Sequence, residues 1–224
     1  MILINKILYK KELLFIIGGE FMPDIEILLD SVKKAITNFS NTLYPSFYKE
    51  LKKVNTIFGK LNKYWSGKRY RETMKAWNTA VPQLNKYLET IVSSSKISSG
   101  IFKNYTEADG NPVTIKPASL IKLNQQSIND KPGRTNFDSS MLIQDLSDIK
   151  TSLTFSKDYA NKMNDAIRKA EWKDSGGAID TSKQDITRAL TMISGNLATL
   201  LSEINVSLTE IEQGFSTAKK SYKK

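Results

Sequence analysis

Tyr105 and Asp109 stand four residues apart, so on a continuing helical turn both side chains leave one face and offer an aromatic ring and a carboxylate to a partner. That is recognition chemistry. A second set is Trp65-Ser66-Gly67, matched 107 residues later by Trp172-Lys173-Asp174-Ser175-Gly176-Gly177. Gly67 permits the positive φ or close approach that reverses a chain, and Trp65 supplies a large ring to bury against the returning segment. Reaction chemistry is poorly supplied by comparison. The 224 residues contain no His, the residue most used for proton transfer near neutral pH and the commonest metal ligand, and no Cys for a thiolate, a disulfide or a zinc site. Carboxylate-only or Ser–Lys catalysis remains open in principle, but no spaced acid, base and nucleophile emerges. The expectation is a non-enzyme with no catalytic residues, metal, cofactor or small-molecule substrate.

Two long apolar stripes must position these motifs. Pro23 and Asp24 suit a helix start, and from Ile25 to Trp65 apolar residues recur every three or four positions, which keeps one face of a helix dry. After the Trp65-Ser66-Gly67 turn the stripe resumes at Tyr70, Met74, Trp77, Val81, Leu84, Leu88 and Ile91, and more weakly at Phe102 and Tyr105. Pro45 and Pro82 are expected to kink or divide their helices, because each removes a backbone donor and clashes with the preceding turn. Asp109-Gly110-Asn111-Pro112 is a strong turn, and the Pro-, Asn- and Ser-rich stretch that follows reads as a linker with a short extended piece at Val113-Thr114-Ile115.

The second half rebuilds the first. Met141, Leu142, Leu146, Ile149, Leu153, Tyr159, Met163 and Ile167 lead into Trp172, and from Ile186 to Tyr222 steps of four and three make a heptad seam. A hairpin alone would leave its stripe wet. The predicted fold is therefore all-α: two helix–turn–helix hairpins, residues 22–109 and 138–224, joined by a linker over 110–137 and stacked as an elongated antiparallel four-helix bundle. It amounts to an intrachain pseudo-dimer.

The net charge of +10 is unevenly placed. Residues 22–108 carry 14 Lys and Arg against 7 Asp and Glu, while residues 138–224 carry 12 of each. A basic first half suits nucleic acid, anionic lipid or an acidic partner; the plainer reading is that Lys33, Lys34, Lys49, Lys52, Lys53, Lys60 and Lys63 solvate an outer helix face. A nucleic-acid reader is disfavoured because the aromatics lie on the apolar stripe and not among the lysines. Near the N-terminus, Leu13-Leu14-Phe15-Ile16-Ile17 is far shorter than the roughly 18 residues that span a bilayer, and no small-residue cleavage pattern follows it. Gly18-Gly19-Glu20-Phe21-Met22 reads as a translated ribosome-binding site and spacer before a start at Met22, which makes residues 1–21 an expected N-terminal extension.

A helical hairpin whose turn carries Trp-x-Gly, with an aromatic three residues later and a long second helix, resembles the WXG proteins, the early-secreted-antigen type exported by type VII secretion systems. The matching residues are Trp65, Gly67 and Tyr70, with Trp77 further along. The resemblance covers residues 24–109 well and 139–222 loosely. It implies a four-helix dimer, here made within one chain, and an export signal of the form Tyr-x-x-x-Asp/Glu after the second helix, which Tyr105 and Asp109 fit. The second turn departs from the pattern, with Gly176 four residues after Trp172, and Tyr222 has no acidic residue after it.

What the resemblance implies is a protein of the secreted or cell-surface class, exported without a signal peptide from a cytoplasmic pool and not stably inserted in a membrane. Its partners would be a secretion ATPase and a toxin or another WXG-type helical protein. The alternatives are a cytosolic adaptor or chaperone for a larger secreted toxin, or a basic nucleic-acid-binding helical protein. Trp65 is either a turn and core residue or a partly exposed docking knob. Tyr105 and Asp109 are either the address or a helix-terminal aromatic followed by a turn Asp.

Overall fold

A computed structural model of the chain describes residues 26–27, 29–108, 110, 112–129, 139–173 and 177–221. The expected extension (residues 1–21), the helix start at Pro23-Asp24, and Asp109, Gly176 and Tyr222 lie outside the described residues. What is described is mostly helical. Strand β1 (Glu26–Ile27) precedes α1 (Leu29–Asn38), a π-turn (Phe39–Leu43), α2 (Tyr44–Phe58) and a 3-10 turn (Leu61–Lys63). Then come α3 (Lys68–Ala108), α4 (Ser139–Lys169), β2 (Trp172–Lys173) and α5 (Ala178–Ser221). At about 1.5 Å per residue, α3 and α5 are each roughly 60 Å long or more. No described helix is long and apolar enough to cross a membrane.

The first helix begins later than the apolar spacing predicts. Glu26–Ile27 is extended and pairs antiparallel with β2, Ile27 opposite Trp172 and Glu26 opposite Lys173. A period of three and four reports only which side is apolar, and a strand partner some 145 residues away leaves no local mark. Pro45 is absorbed without a break. The π-turn stands directly before it, the Tyr44 N–H bonds the Phe39 carbonyl five residues back, and Asn38 and Tyr44 both keep helical dihedrals.

Pro82 does not interrupt its helix, contrary to expectation. Helix α3 runs unbroken for 41 residues through it. The carbonyl of Asn78, which the missing Pro82 N–H leaves without its helical donor, accepts instead the Gln125 side-chain amide at 2.9 Å.

Helix α2 packs on α4, α4 on α5 and α5 on α3. The apolar stripe forecast from Val32 to Trp65 is buried at every three-or-four step, and so are Tyr70, Met74, Trp77, Val81, Leu84, Leu88 and Ile91 of α3. Because α5 faces two helices, it buries more than one heptad seam: Ala189 and Leu200 go inside together with Ile186, Leu190, Ile193 and Leu197. Two residues of the stripe of α4 stay out of the core. Met141 is 52% exposed, and Leu142, rotated one residue around the helix, takes the core position; Tyr159 is half-buried against the core beside the buried Ala160.

The segment expected to be a linker is part of the body of the protein. Residues 112–129 form no helix or strand, yet Ile115, Ala118, Ile121 and Leu123 are buried. This strap lies along the seam between α2 and α3 and closes the ring of four helices. A second, smaller core at one end gathers Val32 and Ile36 of α1, Phe102 of α3, Ile115 of the strap, and Ala170, Trp172 and Ile179 around the second turn.

Candidate functional site

The first turn is built from the end of α2 inward. After Gly59 the 3-10 turn carries the chain to Trp65, whose N–H bonds the Leu61 carbonyl at 3.0 Å. Gly67 has φ 104°, a conformation that a side chain strains, and its carbonyl accepts the Arg71 N–H at 3.1 Å to start α3. Trp65 is 4% exposed and meets Tyr70 edge-on, with ring centroids 5.7 Å apart. The ring is core, not a docking knob, and the conjunction of Trp65, Gly67 and Tyr70 anticipated from spacing is a packed unit.

Two polar clamps fix this turn to the other half of the chain. The Tyr64 hydroxyl donates to Asp145 of α4, and Lys60 pairs with the same carboxylate at 3.8 Å. Burial, followed by the bond to Asp145, holds the Tyr64 hydroxyl well above the usual tyrosine range. At the start of α3, Arg69 reaches Glu72 on its own helix and Glu203 and Glu210 of α5, at 2.5, 3.2 and 3.4 Å. Behind it, Thr73 and Ser207 share a buried hydrogen bond of 2.8 Å.

The second turn is not a copy of the first. Trp172 is 3% exposed, but its backbone lies in the β1–β2 ladder and its ring belongs to the end cluster with Val32, Ile36 and Phe102. Lys183 of α5 ties the two arms by donating to the Ala170 carbonyl at 2.6 Å, and burial lowers its pKa. The two tryptophan turns sit at different ends: the Trp65 turn beside the first turns of α4 and the later half of α5, the Trp172 turn beside α1 and the end of α3.

Tyr105 lies half-buried in the last turn of α3. The helix stops at Ala108, and Gly110, with φ 77°, donates its N–H to the Glu107 carbonyl at 3.1 Å, a left-handed exit. Next to Tyr105, the buried Thr106 hydroxyl donates to the Lys103 carbonyl and accepts the Val113 N–H at 2.9 Å, so the chain after the motif is turned back at once into the strap.

The residues that hold the strap escaped the sequence reading. Asn85 donates its amide to the Leu123 carbonyl at 3.0 Å and accepts the Leu123 N–H at 2.9 Å. Asn78 does the same for Gln126, at 2.8 and 2.7 Å. Between them, the Asn124 N–H bonds Asn55 of α2 at 2.8 Å and its carbonyl accepts the Trp77 indole N–H at 3.1 Å. Trp77 itself is stacked on Phe58 with centroids 4.4 Å apart. Ser95 takes the Ala118 N–H, and Tyr44 donates to the Ser119 carbonyl. Two asparagines seven apart beside an apolar stripe were the available signal.

The basic first half presents a shallow cleft of about 360 Å³ lined by Lys49, Lys52, Lys53, Lys60, Asp145 and Asp148. Lys53 pairs with Asp148 at 3.6 Å as Lys60 does with Asp145, so two of its four lysines are already answered. Among the described residues no group of acidic side chains could hold a metal ion. Comparison with protein-family models, curated proteins and solved structures finds no match.

Proposed function

We propose that this chain is a non-enzymatic helical substrate or partner of a type VII secretion system and acts by protein–protein recognition. The observation that carries the reading is the first turn: a buried Trp65, a positive-φ Gly67 and an edge-on Tyr70 heading a 41-residue helix whose last turn holds Tyr105. Tyr105 and Asp109 are the export signal in this account, and the secretion ATPase is its reader.

The pseudo-dimer reading is supported by the cross-helix pairs. Lys53 meets Asp148 and Lys60 meets Asp145, while Asn161 meets Ser194 and Asn164 meets Thr191. In each set one chain ascends as the other descends, the register of antiparallel helices. With its halves packed on each other, the chain has no need of a second copy to cover its stripes. The test is export from a host carrying the secretion system. The chain should appear outside cells with an intact ATPase and stay inside when that gene is deleted. Equal amounts outside in both strains would overturn the proposal, and retention in both, with the chain bound to a larger toxin, would replace it with the adaptor reading.

A further inference from the structure

The strap is bound as a peptide ligand is bound. Its apolar residues Ile115, Ala118, Ile121 and Leu123 are buried, and the hydrogen bonds that hold its backbone come from side chains of α2 and α3: Asn55, Trp77, Asn78, Asn85 and Ser95. Asn78 and Asn85 are two helical turns apart, about 10 Å along α3, and the residues they grip, Gln126 and Leu123, are three apart, again about 10 Å of extended chain. This rung spacing reads main-chain N–H and C=O groups, which every peptide has. Among the described residues no backbone-to-backbone hydrogen bond joins 112–129 to a helix.

The charge of the strap does not complement its seat. It carries Lys116 and Lys122 and no acidic residue, and it lies on the half of the chain with twice as many basic as acidic residues. Lys122 adjoins Leu123, which Asn85 holds; Lys86 follows Asn85 on α3, and Lys52 precedes Asn55 by one turn on α2. All three lysines are exposed. An acidic side chain at the place of Lys122 would instead bring a negative charge to a seat on the basic half of the chain and gain attraction.

We propose that the α2–α3 seam is a peptide-binding groove, filled in cis by residues 112–129, that accepts in trans an extended segment of a partner protein with apolar residues at the strap's spacing and acidic residues between them. Such a segment binds by displacing the strap, and so competes against a tethered ligand whose effective concentration is on the order of millimolar. This does not rest on the secretion reading.

The test uses a fluorescent peptide of sequence 112–129 and a second peptide with Lys116→Glu and Lys122→Glu, each titrated with the full chain. Weakening the strap by Ile121→Ser and Leu123→Ser in the chain should tighten binding of both peptides about tenfold or more, because the competitor is released more often. The acidic peptide should bind more tightly than the native one at low salt, and Lys52→Gln with Lys86→Gln in the same chain should remove that gain, whereas Asn78→Ala with Asn85→Ala, which takes away the main-chain grip, should weaken both peptides alike. A strap-weakened chain of unchanged helicity that fails to bind, or that binds a scrambled peptide equally well, overturns the groove; an acidic peptide that binds no better overturns the acidic partner. Should the weakened chain lose its helicity, hydrogen exchange on the unaltered protein decides. Amides of Ala118, Leu123 and Gln126 must open at least about tenfold more often than core amides of α4 and α5, and strap amides that exchange only with global unfolding contradict the proposal.

Discussion

Replacing Asn85 by Ala removes both hydrogen bonds to Leu123 while leaving the helix intact. A net contribution of about 1 kcal/mol per bond gives about 2 kcal/mol, and because Leu123 is 2% exposed its freed N–H and C=O are poorly reached by water, which raises the loss to roughly 3 kcal/mol. Ala is the better helix former by up to about 0.7 kcal/mol, so the measured change should be near 2 kcal/mol. For a chain of this length that lowers the thermal midpoint by about 4–8 °C. Asn104, exposed on the same helix, supplies the control: Asn104→Ala should be neutral or slightly stabilising. Asn85→Asp keeps the acceptor and loses the donor, and should fall between. Urea unfolding followed by helical circular dichroism measures all three. If Asn85→Ala costs under about 0.5 kcal/mol, or matches Asn104→Ala, the strap is not held by the asparagines and the seam needs another explanation.

Trp65→Ala should cost about 3–5 kcal/mol in the same assay, as expected for emptying a buried tryptophan site; near-unchanged stability would mean that the ring is not core. Tyr44 and Tyr64 are held above the usual tyrosine range, the first by burial and the second by burial and then Asp145. A raised folded pKa contributes stability that is complete below the unfolded value of about 10 and is lost as pH climbs through it toward the folded value. The thermal midpoint should therefore fall above about pH 10, less steeply in Tyr64→Phe, and identical slopes would refute the assignment. Light scattering should give the mass of one chain across a wide concentration range, whereas an obligate dimer would contradict the intrachain pairing.

The apolar period announced the helices because burial is what the period measures: Val32 through Trp65 and Tyr70 through Ile91 are inside as their spacing requires. Gly67 was legible for a similar reason, since few residues other than Gly tolerate φ near 104°. The strap was not, because its anchors are polar side chains reaching a polar backbone, and Asn78 and Asn85 look like solvent-facing residues until Leu123 and Gln126 are set beside them. The same rule hid the fate of Pro82, whose lost bond is made good by Gln125, 47 residues from Asn78. At the second turn the apparent repeat of the first misled about shape: Trp172 is buried as Trp65 is, but a strand partner at Ile27 sets its backbone.

If Tyr105 and Asp109 are an address, removing them must block export and leave the fold in place. Tyr105 is only half-buried at the end of α3, so the Tyr105→Ala, Asp109→Ala double variant should unfold within a few degrees of the parent, with a loss of about 1 kcal/mol or less. The decisive measurement is the fraction of this folded variant found outside cells whose secretion depends on the type VII ATPase, compared with the parent chain. Export reduced to the level of the ATPase-deleted strain is the predicted result, and export equal to the parent would contradict it.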